Sequence, residues 1–504
     1  MLVPRFGSAP QEADDKCDDL AKEGLPAKRA TQELATFAAQ LRYEDLPSEV
    51  VHQAERLALD TCCCAIGGYI LDNGKIFLRV LESLGGKPEA TLFPTGHRTS
   101  VAAAAYVNTE LANLLDLDDN LLYHSHFANT SVMPALAMAE RQGASGKALV
   151  TAIVAAFEVT ARITLSLPGV VEVISPPPDL KMGWPNPWGH SFNTFGAAVG
   201  AGKLLLLSPE TMVHALGIAG YTAPVPGCDA AFSSARLTGF KYAPYGGMAW
   251  SGVVAARLAQ EGLTADSQVL ESDHGFWKMI GAKYCDFDML TRDLGSKWWI
   301  LDTSIKPYPA GTWMRNSMLA VDQLMSAHDF RPAEIEQILV KTWVLREKSP
   351  ATQTEPQSYL DTQVSYPYLL AMRVLRIPPN RWHAKEVYTD PLVLDTMKKI
   401  RIEGDPTISQ QVYDEVSQGV RRATKAPARV EIAARGQTFS EYVEYAKGDP
   451  FSTETRLSDD ELAEKFRTHT TDLLRSSHIE QAIEALLDLS SVHDVRTVTP
   501  LLTA

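Results

Sequence analysis

Apolar residues recur at helical spacing through most of the first 300 positions of the chain. In segment 47–68 a proline opens the pattern, Val50, Ala54 and Leu57 mark one face, and two glycines end it. Residues of these types are expected at the start and the end of a helix. Small and apolar residues repeat in the same way near 99–115, 131–142, 146–166, 191–206 and 209–219. The pattern predicts an almost wholly α-helical domain over residues 31–300.

The pattern changes after position 300. Stretches 334–344 and 427–436 are rich in alternating and β-branched residues, and helical stretches such as 312–327 separate them. This mixture predicts a smaller α+β domain over residues 301–446. Residues 447–504 are helical again, which suggests that they return to the first domain and that the α+β part is a lid. The predicted fold class is therefore mainly α with an α+β part, and a cleft between two such units is a common small-molecule site.

Two segments depart from these patterns. Residues 1–30 are polar and rich in charged side chains, so we expect them to be disordered. Residues 167–189 contain six prolines together with Trp184 and Trp188. A connection of this length that lacks its own secondary structure is either functional or disordered, and the tryptophans favour packing. For this segment the two alternatives are therefore a role in lining a pocket and disorder.

Composition narrows the possible functions. The 504 residues are 45% hydrophobic and 21% charged, which leaves room for two domains with large cores. The net charge is −14 and no Lys/Arg-rich run occurs, which argues against nucleic acid or an anionic membrane as a partner. We find no apolar stretch of the roughly 18 residues that a spanning helix needs and no secretory pattern at the start, so we expect a cytoplasmic protein.

The six cysteines argue against an iron–sulfur cluster. Three of them are adjacent at Cys62, Cys63 and Cys64, and no CxxC spacing occurs. Adjacent residues of a helix point in different directions, so this run cannot supply three ligands to one cluster. We interpret the cysteines as core thiols in a reducing compartment and expect no cofactor and no bound metal.

The densest group of titratable side chains in the chain comprises Asp116, Asp118, Asp119, His124 and His126. Carboxylates and imidazoles can be tuned toward neutral pH, so such a group suits acid–base catalysis or metal ligation. The alternative is a solvated turn rich in aspartate. The flanking segments carry apolar residues at helical spacing. A loop held between two core helices would be rigidly placed, as catalysis requires.

Three further positions could carry chemistry. Lys241 precedes a helix start rich in Ala and Gly, where it could help to hold a carboxylate. Lys306 lies at the predicted domain boundary with Arg315 nearby, and Tyr368 begins an apolar helix. None of these signals is specific by itself, since a surface lysine beside a turn is the ordinary interpretation of Lys241 and a core tyrosine that of Tyr368.

In this order, the chemical residues resemble the motifs of the MmgE/PrpD family over about residues 31–490. The family's first motif is matched by Asn108, Asp116, Asp118, Asp119 and His126. Its later motifs are similar to Lys241 with Gly246 and Gly252, Lys306 with Tyr308 and Pro309, Ser365 to Tyr368, Pro427 to Ile432, and Lys447 to Pro450. The family usually has His, Thr and His at the positions that Asn113, Asn120 and Gly311 occupy here.

The resemblance implies a large helical domain with a smaller α+β lid, usually as a homodimer. The family includes 2-methylcitrate dehydratase, cis-aconitate decarboxylase and iminodisuccinate epimerase. Removing a proton next to a carboxylate builds enolate-like charge, so such a site needs a base and fixed cations. We therefore expect a cofactor-independent lyase that dehydrates a citrate-like acid such as 2-methylcitrate or an alkylcitrate. Decarboxylation, epimerisation and an inactive binding homologue remain as alternatives.

The expected site residues follow from this resemblance. Lys241 and Lys306 would hold substrate carboxylates and His126 would transfer protons. Asp116 would orient His126 or handle the hydroxyl, and Tyr368 would donate a proton. The remaining candidates are His124, as a substitute for His126, and Asn120 and Arg315, as further substrate ligands. We expect these side chains to converge on one cleft, and we expect Gly311 to enlarge that cleft and make one end less polar, which would suit an alkyl or aryl tail.

Overall fold

The computed structural model describes residues 29–185, 189–233, 237–241, 243–343 and 350–504. The disorder predicted for residues 1–30 therefore falls almost entirely outside the described residues, as does Trp188 of the proline-rich segment.

The first part of the chain is helical, as its periodicity predicts. Its helices are α1 Ala30–Gln40, α2 Ser48–Gly68, α3 Asp72–Leu84, α4 Val101–Leu114, α5 Ala128–Gln142, α6 Gly146–Ser166, α7 Asn193–Leu204, α8 Pro209–Thr222, α9 Cys228–Ser233, α10 Tyr245–Gln260, α11 Phe276–Met279 and α12 Phe287–Thr291. Serine side chains cap three of them, because Ser100, Ser145 and Ser208 accept hydrogen bonds from backbone N–H groups of α4, α6 and α8.

Short strands connect these helices. They are β1 Ala90–Thr91, β2 Arg98–Thr99, β3 Asn120–Leu121, β4 Glu172–Ser175, β5 Lys181–Gly183 and β6 Thr303–Ser304. Strands β4 and β5 pair antiparallel, so the proline-rich segment contains a hairpin that its sequence did not reveal. Strand β3 pairs with β6, which brings residue 304 next to residue 120.

The smaller domain is built on one four-stranded sheet in the order β10-β9-β7-β8. Its strands are β7 Ile335–Thr342, β8 Ile400–Gly404, β9 Ala428–Ala434 and β10 Gln437–Val443. Its helices are α13 Arg315–His328, α14 Tyr359–Val364, α15 Tyr366–Val374, α16 Lys385–Tyr388, α17 Pro391–Met397 and α18 Pro406–Val416. Strand β7 pairs parallel with β8 and antiparallel with β9. The buried side chains Ile338, Val340 and Ile432 join the sheet to the helices in a second core.

The last helices, α19 Asp459–Thr470 and α20 Ser476–Leu487, pack on α2 of the first domain. Their apolar residues Leu462, Phe466 and Ile479 belong to the hydrophobic core of the first domain. A capping box formed by Ser458 and Glu461 starts α19.

Helix α6 is the one helix among the described residues that is long and apolar enough to cross a membrane. The expectation that no stretch of the chain passes this test was therefore wrong. In the structure 94% of the most apolar window of α6 is buried inside the protein, as in a core helix.

Candidate active site

The titratable cluster lies in the loop between α4 and α5. Its side chains are buried, with Asp118 and Asp119 fully inaccessible and Asp116, His124 and His126 at 6% relative exposure or less. The interpretation as a solvated turn is therefore wrong. Asp116 has a φ of 55°, in the left-handed region, and its N–H donates to the Asn113 carbonyl over 3.1 Å. The chain thus turns sharply just after the end of α4.

Asp119 fixes the other end of this loop. Its two carboxylate oxygens accept the N–H groups of Phe127 and Ala128 over 3.2 and 3.0 Å, at the start of α5. A carboxylate there satisfies N–H groups that have no partner within the helix. Burial and the neighbouring Asp118 raise the pKa of Asp119 well above its usual value. Asp119 therefore holds the loop and does not join the reactive group.

Lys306 reaches the cluster through the β3–β6 pairing. Its ammonium donates to Asp116 Oδ1 over 2.8 Å and to the Asp116 carbonyl over 3.0 Å. The Lys306 side chain is completely buried. Because it binds both the side chain and the backbone of Asp116, Lys306 fixes the orientation of that carboxylate.

Lys241 approaches the same oxygen of Asp116. Its Nζ is 3.7 Å from Asp116 Oδ1 and donates to the Asn113 carbonyl over 2.8 Å. Burial lowers the pKa of Lys241, and the attraction of Asp116 opposes this change. Although burial disfavours the charged form of Asp116, the positive charges of Lys241, Lys306 and His126 hold its pKa below its usual value. Asp116 is therefore a carboxylate at neutral pH.

His126 lies between two carboxylates. Its Nε2 is 3.9 Å from Asp116 Oδ1, and its Nδ1 is 3.2 Å from Asp118 Oδ2. The same Asp118 oxygen accepts the side-chain amides of Asn113 and Asn129 over 3.0 and 3.1 Å. Asp118 thus orients the His126 ring so that Nε2 faces the lysines and Asp116. Sequence reasoning matched Asp118 to a motif but did not assign it this role.

The sequence analysis also missed His190, which follows the proline-rich segment. Its Nδ1 lies 2.5 Å from Ser125 Oγ, and its ring centroid is 5.6 Å from that of Tyr245. Tyr245 in turn contacts the His126 ring edge-on at 6.1 Å. Burial, together with the charge of His126, lowers the pKa of His190 to about 3, so His190 is neutral at physiological pH. In the sequence, His190 could have been noticed only by its position between the proline-rich segment and α7.

Of the five residues expected to converge, Asp116, His126, Lys241 and Lys306 meet at Asp116 Oδ1. The Tyr368 hydroxyl donates over 2.5 Å to the carbonyl of Trp382, inside the core of the smaller domain. The role of Tyr368 as a proton donor to the substrate therefore stays a prediction.

Two of the three remaining candidates have other partners. His124 Nδ1 accepts the N–H of Val170 over 3.0 Å, so its ring holds the proline-rich segment. The Arg315 guanidinium donates to Asp449 Oδ1 over 2.7 Å in a fully buried ion pair. Asn120 is buried beside the cluster, and its side-chain oxygen has no hydrogen-bond partner among the described residues.

Gly311 does not enlarge the site as expected. A Cβ atom at this position would lie 2.9 Å from Met314 Sδ and 3.5 Å from the Gln363 carbonyl. The thioether of Met314 therefore occupies the space beside Gly311. This side of the site is therefore filled rather than open, and its lower polarity stays a prediction.

Asp116, Asp118 and His126 offer one possible metal ligand each, and these atoms lie within 4.8 Å of one another. Two carboxylates and an imidazole could hold a divalent cation. Lys306 Nζ already lies 2.8 Å from Asp116 Oδ1, however, and an ammonium bound to this carboxylate would repel a cation held by it. The donor set therefore fits an anion held by lysines better than a metal ion, and metal-free chemistry stays a prediction.

The proline-rich segment contributes Trp184 to an aromatic cluster between the two domains. The Trp184 ring centroid lies 6.0 Å from that of Trp343 and 6.4 Å from that of Trp313. Trp313 in turn contacts Tyr123 of the site loop at 5.3 Å. The segment therefore packs against residues that neighbour the site, and its lining of a pocket stays a prediction.

Comparison with known proteins agrees with this architecture. The MmgE/PrpD N-terminal domain model matches residues 32–284, and the MmgE/PrpD C-terminal domain model matches residues 308–489. A cis-aconitate decarboxylase of Aspergillus terreus is 24% identical over 96% of this chain and 97% of its own length. The human cis-aconitate decarboxylase is 26% identical over 94% of this chain and 95% of its own length. A cis-aconitate decarboxylase-like protein of Aspergillus oryzae is 23% identical, with 95% and 98% covered.

Proposed function

Because the chain belongs to the MmgE/PrpD family, we propose that it is a lyase that removes CO2 from an unsaturated tricarboxylic acid of the cis-aconitate type. The relatives named as cis-aconitate decarboxylases align over nearly the whole chain. They favour decarboxylation over the dehydration that we expected from the sequence. The proposal rests on one observation: the side chains of two buried lysines, Lys241 and Lys306, and of His126 all lie close to Asp116 Oδ1.

The two lysines supply the fixed positive charge that such a substrate requires. An ammonium has three N–H donors, and Lys306 uses two of them on Asp116. The third donor can bind a substrate carboxylate without breaking the pair. Lys241, the second ammonium beside Asp116 Oδ1, would bind a second carboxylate. Preorganised cations of this kind stabilise negative charge as it develops, and they act strongly in a buried site.

The chemistry then needs one proton transfer. When the bond to the departing carboxylate breaks, CO2 leaves and its electron pair spreads over the adjacent double bond and the next carboxylate. His126 delivers a proton from Nε2 to the far carbon of this allylic system, and the double bond shifts. Asp118 holds Nδ1 of His126 during the transfer, and solvent protonates the ring again after product release. His190, whose low pKa keeps it neutral, would serve as a hydrogen-bonding neighbour of the substrate.

Dehydration of a citrate-type acid is the second candidate. Gly311 counts modestly against a cis-aconitate decarboxylase, since the resemblance places a histidine there in the decarboxylases and in several dehydratases, and Met314 fills that side of the site. In this reaction His126 would remove a proton next to a carboxylate and return it to the departing hydroxyl group, which would leave as water while the double bond forms.

Product analysis separates the two candidates. We expect CO2 release from cis-aconitate, in the presence of EDTA as in its absence, and loss of this activity in His126→Ala. His214→Ala is the matched control, because His214 contacts the Ala265 backbone away from the cluster. Alkene formation from citrate or 2-methylcitrate without CO2 release would replace decarboxylation by dehydration. Loss of activity on chelation would contradict the metal-free mechanism.

A further inference from the structure

Five consecutive backbone carbonyls at the end of α4 each accept a hydrogen bond from a side chain of a distant segment. The donors are Lys241 to Asn113 at 2.8 Å, Gln363 to Leu114 at 2.6 Å, His383 to Leu115 at 3.1 Å, Lys306 to Asp116 at 3.0 Å and Lys465 to Leu117 at 2.9 Å. The last carbonyls of a helix have no partner within the helix and carry partial negative charge. Lysines are therefore natural partners for them.

Gln363 and His383 are different, because they are neutral and belong to the smaller domain. The carbonyl of Leu115 can only accept, so His383 Nε2 carries the proton in this contact. Burial lowers the pKa of His383 to about 4, and its bond to Leu115 only partly opposes this change. Both side chains are buried, with His383 at 6% exposure and Gln363 at 0%. Gln363 and His383 are thus neutral side chains through which the smaller domain binds the segment that carries Asp116.

Gln363 also joins the two halves of the site through its backbone. Its carbonyl accepts the N–H of Gly311 over 2.8 Å, and the adjacent Ala310 N–H donates to the Asp116 carbonyl over 3.1 Å. One residue of the smaller domain therefore touches both the segment of Asp116 and the segment that follows Lys306.

The conformation that these bonds hold is a costly one. Asp116 has a φ of 55° and is not a glycine, and this backbone region costs roughly 1–2 kcal/mol for such a residue. A strained residue persists only where its surroundings over-determine it. The bonds to Leu114 and Leu115 come directly before the strained residue, and those to Asp116 and Leu117 complete the set.

We propose that Gln363 and His383 are positioning residues, through which the smaller domain holds Asp116 in the conformation that Lys306 and His126 require. Asp116, Lys306 and His126 are then correctly arranged only while these two side chains of the smaller domain are bound to the end of α4. The proposal rests on the proposed function only for its activity measurement.

Hydrogen exchange of the full-length protein tests the proposal without any substrate. We expect Gln363→Leu and His383→Leu to exchange the backbone amides of residues 113–121 at least tenfold faster than the unchanged protein. The control is Gln411→Leu, which removes the 2.9 Å bond between Tyr442 and Gln411 in the smaller domain, away from α4. Unchanged exchange in residues 113–121, or equally fast exchange in Gln411→Leu, would overturn the proposal.

Kinetics supply the second measurement. With the acid that the unchanged protein converts, we expect kcat to fall at least tenfold in both variants and KM to change less than threefold. His383→Gln, which can still donate an amide N–H to Leu115, should recover most of the loss. Failure of this rescue together with a raised KM would contradict positioning. If no acid is converted, the proposed function fails, and the exchange result still decides whether these residues hold the loop.

Discussion

Two buried lysine–aspartate pairs hold neighbouring residues of the same loop, and only one of them belongs to the proposed active site. Lys306 binds the side chain and the carbonyl of Asp116. Lys465 binds the side chain of Asp60 and the carbonyl of Leu117 in the same manner. All four charged side chains are at 4% exposure or less. Burial is therefore similar for the two pairs and cannot explain a difference in their reactivity.

The surroundings of the two carboxylates differ. Asp116 faces a second lysine and a histidine, and these charges keep its pKa low. Asp60 has burial as its largest influence, which raises its pKa despite the attraction of Lys465. Its neighbours in the chain include Cys62 and Cys63, whose thiol pKa values burial also raises, that of Cys63 to about 12. A buried ion pair is therefore weak evidence for function, and the added cation and imidazole distinguish the reactive pair.

The largest effect is expected from Lys465→Met, and it should be on stability. The change leaves Asp60 buried without its cation, and breaking one partner of a buried pair costs about 3–5 kcal/mol. Chemical denaturation should show this loss, while kcat at a temperature where the variant is folded stays within about threefold. The double variant Lys465→Met with Asp60→Asn removes both charges and should recover much of the loss. Inactivity of the folded single variant would break the comparison.

The matching change at the other pair, Lys306→Met, should act on turnover. Removing one preorganised donor from a site where charge develops costs about 10²–10³-fold in kcat. Its stability loss should be smaller than that of Lys465→Met, since Lys241 remains 3.7 Å from Asp116. Steady-state kinetics and denaturation of the same preparation provide both values. A large stability loss with little change in turnover would reverse the roles of the two pairs.

The sequence reveals the first of these pairs far better than the second. Asp116 and His126 stand in a dense polar run between apolar helices, and the motif spacing of Lys241 and Lys306 adds the cations. Helical periodicity likewise predicts the first domain. Lys465 has no such signal, since it looks like one polar residue of an amphipathic helix, and only packing of α19 on α2 pairs it with Asp60.

Other features could not be predicted because they depend on contacts across the fold. The filling of the space at Gly311 requires knowing where the Met314 side chain lies. The pairing of Arg315 with Asp449 spans 134 residues. A local pattern identifies residue types and faces, whereas the partner of a buried polar group follows from tertiary packing.

A pH-dependent effect of intermediate size is expected from Glu110, beside the reactive pair. Burial raises its pKa to about 8, although Lys241 and the Gly246 N–H oppose this change. A carboxyl with a raised folded-state pKa contributes most stability below its unfolded value of about 4.3 and loses it as the pH rises toward 8. Glu110→Gln cannot ionise, yet its amide oxygen can still accept the Gly246 N–H.

The free energy of unfolding of Glu110→Gln should therefore rise relative to the unchanged protein between pH 5 and pH 8. A tenfold difference in proton affinity between the folded and unfolded states corresponds to about 1.4 kcal/mol, so a pKa of about 8 in the folded state predicts a rise of roughly 3–4 kcal/mol over this range. Exposed Glu336→Gln is the control and should show no such trend. A constant difference across this pH range would contradict a raised pKa of Glu110 in the folded protein.

The smallest effect is expected from Tyr368→Phe, which tests the limit of the reactive region. The sequence places Tyr368 among the catalytic candidates, whereas the structure commits its hydroxyl to the Trp382 carbonyl in the core of the smaller domain. The variant should lose one hydrogen bond, about 1 kcal/mol of stability. Its kcat should stay within about threefold, because no group of the Asp116 pair loses a partner. A hundredfold loss of kcat at unchanged stability would extend the reactive region into the smaller domain and restore Tyr368 as the proton donor.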